Sequence, residues 1–122
     1  ALSGMAVFDM AASPTGVLYV IGYQKLAISS DAGATWKTKR LPFVPTSIDF
    51  TANGDLLVGS PGRILRSSDE GENWTDIIPN PAVTYGYNVA VTTAGIWFAG
   101  GYHSGLYRTS DEGANWERLD GR

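Results

Sequence analysis

Three aspartates, Asp31, Asp69 and Asp111, stand in one setting written three times: Ser29-Ser-Asp-Ala-Gly-Ala-Thr-Trp36, Ser67-Ser-Asp-Glu-Gly-Glu-Asn-Trp74 and Thr109-Ser-Asp-Glu-Gly-Ala-Asn-Trp116. Carboxylates that recur in this way could exchange protons with a substrate or ligate a hard cation. Their neighbours point instead to a turn. Each aspartate is flanked by Ser or Thr and followed by a glycine, Gly33, Gly71 or Gly113, and then by a tryptophan, Trp36, Trp74 or Trp116. Asp can accept hydrogen bonds from the backbone of its own turn, Gly supplies a positive φ, and the indole ring can cover apolar surface. The pattern, [ST]-S-D-x-G-x-[TN]-W, therefore reads as a structural clip, with proton-donor and metal-ligand roles as the lesser alternatives.

The elements that must position these clips follow from their spacing. Copies at a period of about 40 residues indicate a repeat architecture in which each repeat is one supersecondary unit. Short runs of β-branched and aromatic residues bounded by Gly, Pro, Asn and Asp read as strands. They are expected at residues 6–11, 17–22, 26–29 and 36–41, at 47–51, 55–59, 64–67 and 74–77, and at 88–92, 95–99, 105–109 and 116–119. No segment keeps a 3.6-residue apolar period for long enough to form an amphipathic helix. Four antiparallel strands per unit describe a β-propeller blade, and the apolar middle strands suit sheets sandwiched between neighbours. The fold class expected is all-β, one unit of three blades at about 1–45, 46–84 and 85–122.

The three octapeptides resemble the Asp-box, or bacterial neuraminidase repeat, of sialidase-like and sortilin-like β-propellers. Similar repeats occur in sialidases, other glycosidases, sortilin-type receptors, a photosystem assembly factor, and many virion and secreted proteins. The resemblance covers practically the whole chain and implies a hairpin between third and fourth strands. It also implies that these hairpins lie away from the substrate face, so that Asp31, Asp69 and Asp111 are not catalytic.

The opposite face is then made by the loops joining second to third strands and one blade to the next, and loops on a rigid scaffold are where binding residues concentrate. These loops bring Tyr23, Lys25 and Arg63 toward one surface, with Tyr85, Tyr87, Tyr102 and His103 and the ring of Phe43. Aromatic rings beside hydrogen-bonding groups suit a sugar, and they suit a protein partner equally well. The competing reading is that several of these rings pack between blades. His103 is the sole histidine in the sequence and reads as a surface residue rather than a metal ligand.

Composition narrows the classes further. A net charge of −3 with the basic residues scattered gives no footprint for nucleic acid. The chain contains no cysteine, so thiolate zinc sites and cysteine nucleophiles are excluded. No apolar stretch approaches the roughly 20 residues needed to span a bilayer as a helix. A sialidase-like enzyme would imply an arginine cluster and a tyrosine nucleophile paired with an acid, and the Phe/Tyr-Arg-Ile-Pro signature of the first arginine is missing. A glycosidase needs two carboxylates face to face. Most acids, Glu70, Glu72, Glu112 and Glu117 among them, lie in or next to the octapeptide hairpins, and Asp9, Asp49 and Asp55 remain as candidates.

The function expected is a non-catalytic binding or scaffold module without cofactor or metal, with glycan recognition on the loop face as the main reading. The alternatives are a structural or assembly protein that binds another protein, such as a virion component, and a fragment of a larger Asp-box glycoside hydrolase. A secreted or virion-associated location is slightly favoured. Propeller rings usually have four to eight blades. Three blades leave two flat apolar ends, and a homodimer giving six blades is the expected closure. The alternative, a piece of a longer propeller, is favoured by the missing initial methionine.

Overall fold

The computed structural model describes residues 4–77, 87–101 and 105–119, with Tyr87 described through its backbone alone. Every helix or strand among these residues is a strand, and the strands fall into three antiparallel sheets. The first holds β1 (Asp9–Ala12), β2 (Leu18–Gly22), β3 (Lys25–Ser29) and β4 (Lys37–Arg40). The second holds β5 (Ser47–Phe50), β6 (Leu56–Ser60), β7 (Arg63–Ser67) and β8 (Thr75–Asp76). The third holds β9 (Tyr87–Val91), β10 (Trp97–Gly101), β11 (Gly105–Thr109) and β12 (Glu117–Arg118). In each sheet the strands lie side by side in chain order, the arrangement of a propeller blade.

Alternation along the strands gives each sheet two faces. Tyr19, Ile21, Leu26 and Ile28 of the first sheet form one core cluster with Ile48, Phe50, Leu56, Val58 and Leu65 of the second. Leu57 and Ile64, on the other face of the second sheet, cluster with Val89, Trp97 and Ala99 of the third. The middle sheet is thus covered on both sides, which is why β6 is buried along its whole length. The third sheet has no such cover on its far face among the described residues, and Leu106 there is 42% exposed.

The first strands of the three sheets lie next to one another. Side-chain oxygens tie them together: the Ile48 N–H donates to Asp9 Oδ2 at 3.0 Å, and the Val89 N–H to Ser47 Oγ at 3.1 Å. The Val91 N–H donates to Asp49 Oδ2 at 2.8 Å. Asp9 and Asp49, set out above as candidate acids, therefore bond the backbone of the adjacent sheet.

Several boundaries differ from expectation. β1 begins at Asp9, although the ladder is prolonged by a Phe8 N–H to Ile21 carbonyl bond of 2.8 Å. The fourth strands begin one residue after each tryptophan, because pairing resumes only with Lys37 opposite Ile28, Thr75 opposite Arg66 and Glu117 opposite Arg108. The octapeptide tryptophans are half-buried rather than enclosed. They sit at the rim over their own turn, where a Cβ added to Gly33 would lie 3.6 Å from the Trp36 ring. The fully buried indole is Trp97, in the middle of the third sheet.

Candidate functional site

In each octapeptide the aspartate and the glycine build one cage. The turn bond runs from the Ala34 N–H to the Asp31 carbonyl, with Ala32 at φ 59° and Gly33 at φ 90°, a type I′ geometry that suits a hairpin. The Ser29 hydroxyl donates to Asp31 Oδ1 at 2.8 Å and accepts from the Gly33 N–H at 2.8 Å. The Thr35 N–H also donates to Asp31 Oδ1, at 2.8 Å, and the Thr35 hydroxyl donates to Oδ2. Ser67, Asp69, Gly71 and Asn73 repeat these contacts in the second sheet, as do Thr109, Asp111, Gly113 and Asn115 in the third.

These donors stabilise the ionised carboxylates. The Thr35 side chain lowers the pKa of Asp31 to about 2, the Asn73 N–H does so for Asp69, and the Thr109 hydroxyl for Asp111, each also to about 2. Such groups hold no proton to donate near neutral pH. Among the described residues no three His, Cys, Asp or Glu side chains gather in a way that could hold a metal ion.

Of the expected loop-face residues, Tyr23, Lys25 and Arg63 are described. Tyr23 is 68% exposed at the tip of the β2–β3 turn, and Lys25 follows it, exposed, at the pair Gly22–Lys25. Arg63 holds the corresponding place in the second sheet, paired with Ser60. Its charge is engaged: Nη2 lies 2.9 Å from Asp76 Oδ1, and its guanidinium carbon lies 5.6 Å from the centre of the Phe43 ring. Phe43, expected at the loop surface, is buried at 6% exposure and stands edge-on to Trp74. Tyr85, Tyr102 and His103 lie outside the described residues, as does the side chain of Tyr87.

The octapeptide face carries a second repeated turn. Ser13, Thr51 and Thr92 each precede a glycine by three residues, and their hydroxyls accept from the N–H groups of Val17, Asp55 and Ile96. A search for [ST]-x-x-G would have found this signal in the sequence. Between the first two of these turns and the octapeptide at Ser67 lies a cavity of about 390 Å³, with Tyr19 and Glu70 in its wall. A second cavity of about 290 Å³ adjoins it through Val17 and Glu70. No residue named from the sequence for ligand binding lines either one.

Comparison with known proteins gives this geometry its relatives. A curated photosystem II assembly lipoprotein, Ycf48 of Synechococcus sp. (strain CC9902), is 30% identical over 97 residues, covering 73% of this chain and 29% of the relative. The chain thus spans less than a third of that protein. Among solved structures, YCF48 bound to D1 peptide superposes with a TM-score of 0.77 at 23% identity, over 94% of this chain and 39% of that one. YCF48 from Cyanidioschyzon merolae gives 0.73 at 24%, over 94% and 37%. An ancestral GH74 enzyme gives 0.70 at 18% identity, over 93% and 18%, a likeness of fold alone. These relatives support the Asp-box propeller repeat without the sialidase or sortilin specifics, and they favour the protein-binding assembly alternative over glycan recognition. The family described as Photosynthesis system II assembly factor YCF48 matches residues 3–119, and the chain belongs to it.

Proposed function

We propose that this chain is a non-catalytic binding module that acts in the assembly of photosystem II by holding a peptide segment of a partner protein. The observation that carries this reading is the family match over nearly the whole chain, together with a relative whose structure was solved with a D1 peptide bound. The caged aspartates support it from the chemical side, since carboxylates held ionised by their own turns serve the scaffold rather than a reaction.

Titration of the chain into a fluorescently labelled D1 peptide, read by anisotropy, tests the proposal. Saturable binding that a scrambled peptide fails to compete away is the expected result. Flat anisotropy throughout would remove this function from the chain. We propose in addition that a second copy covers the exposed face of the third sheet, so that the ring expected from the sequence contains six blades.

A further inference from the structure

The two contacts between neighbouring sheets are built from corresponding residues, and one of them lacks its cation. At the second contact Arg66 crosses from β7 to the third sheet. Its Nε donates to Asp55 Oδ2 at 2.9 Å and its Nη1 to Glu112 Oε1 at 2.9 Å, while its guanidinium carbon lies 5.3 Å from the Trp97 ring centre. An arginine held between two carboxylates and an aromatic face is a well-bound guanidinium.

The strand register identifies the matching residues at the first contact. Arg66 pairs with Leu57 as Ile28 pairs with Tyr19, so Ile28 holds the arginine position. Asp55 precedes Leu56 as Val17 precedes Leu18, and Glu70 occupies in its octapeptide the place of Glu112. The acid of the following blade is therefore kept, while the arginine and its strand acid are replaced by apolar side chains. The two cavities open at this place, and both are lined by Val17 and Glu70. The larger has Tyr19 and the hydroxyl-bearing Ser13 and Thr15 in its wall and no lysine or arginine; Lys37 lines only the smaller.

Glu70 enters no ion pair among the described residues. The nearby Lys39 ammonium donates to the Glu70 carbonyl at 2.9 Å and pairs with the Glu72 carboxylate. Burial, and then the charge of the nearby Glu70, raise the pKa of the Tyr19 phenol, which places that carboxylate within electrostatic reach of the ring.

We propose that this cleft between the first and second sheets binds the guanidinium of an arginine carried by a partner polypeptide, seated against Glu70 as Arg66 is seated against Glu112. The proposal deepens the assembly reading and rests on it for the partner being a polypeptide. Its recognition chemistry is a charge-assisted hydrogen bond to Glu70, hydroxyl acceptors around it, and the apolar wall of Val17 and Leu56 along the aliphatic stem.

The test uses Nα-acetyl-arginine amide as probe and its neutral isostere Nα-acetyl-citrulline amide as control, each titrated into the ¹⁵N-labelled chain. The arginine probe is expected to shift the amides of Val17, Tyr19, Ser68 and Glu70 saturably, and the citrulline probe to bind about tenfold more weakly. Glu70→Gln, a substitution at an exposed position, should weaken the arginine probe by a similar factor. Ile28→Arg supplies the missing cation from within and should block the probe; if that variant fails to fold, Glu70→Gln decides. Equal binding of citrulline, an unchanged affinity in Glu70→Gln, or shifts clustered elsewhere would overturn the proposal. Binding of the D1 peptide with no response to the arginine probe removes the cleft and leaves the assembly reading standing. The reverse pattern removes the assembly reading and leaves the cleft.

Discussion

Each octapeptide aspartate does its work as an anion, which sets a pH dependence with a definite sign. The folded pKa of Asp31, Asp69 and Asp111 is about 2 against an ordinary 3.8, so the unfolded chain takes up protons more readily. The stability they contribute is complete above about pH 4 and is lost as the pH falls through about 2. Denaturant midpoints measured at intervals from pH 5 to pH 2 should decline across that window, and a variant with all three aspartates changed to Asn should show a flatter profile. The hydroxyls beneath them are buried: Ser67, 2% exposed, accepts from the Gly71 N–H and donates to Asp69. Ser67→Ala leaves that N–H without its acceptor and should cost about 1–3 kcal/mol in a urea titration. Ala32 carries the strain of a positive φ at 59° in a site where its counterparts are Glu70 and Glu112. Ala32→Gly relieves it and should raise stability by about 1 kcal/mol.

At the scale of the elements, the octapeptide turn also sets the distance between sheets. A Cβ added at Gly71 would lie 2.7 Å from Leu26 Cδ2 in the first sheet, and one at Gly113 would meet Ile77 of the second still more closely. Gly54 has a similar φ of 90° but open space around it. All three positions penalise alanine by about 1–2 kcal/mol through the backbone, and Gly71→Ala and Gly113→Ala should cost about 1–3 kcal/mol more than Gly54→Ala through packing. Thermal melts of the three variants separate the two effects. The strands and turns were legible in the sequence because their chemistry is local: Asp, Gly and Ser or Thr within a few residues determine the hairpin. The half-buried state of Trp36, Trp74 and Trp116 was not, since it depends on where the turn meets the rim of the sheet. Nor was the buried state of Phe43, whose partners Arg63 and Trp74 come from the next repeat. The cleft at Glu70 was hidden for the same reason. Its character appears only when register places Ile28 where Arg66 stands, and no single stretch of chain contains that comparison.

For the whole molecule, the exposed face of the third sheet is the counterpart of two faces that are buried. Asn88, Ala90, Phe98 and Leu106 occupy the places of Asp9, Ala11, Tyr19 and Leu26 in the first sheet by register. They line a shallow apolar cavity of about 230 Å³. Asn88 is exposed at the position from which Asp9 and Ser47 bond the next first strand. Charge on this face is already balanced. Arg108 corresponds to Arg66, yet it pairs with Glu117 of its own sheet at 2.5 Å instead of reaching across an interface. The matching octapeptide, one without acids at the two variable places, is that of the first sheet, with Ala32 and Ala34 where the second has Glu70 and Glu72. In the proposed dimer blade three of one copy meets blade one of another, whose outer side carries Lys25 and Arg40 near the end of its β3–β4 ladder, and burial of Leu106 and Phe98 supplies about 25 cal/mol for each Å² of apolar surface removed from water. Light scattering on the chain should find a species of twice the 13.0 kDa chain mass that dissociates on dilution. Leu106→Asp places a charge in the centre of the contact and should return the mass to that of one chain, with the β-sheet circular dichroism spectrum retained. A single-chain mass for the unaltered protein at all concentrations would show that this face is not closed by a second copy.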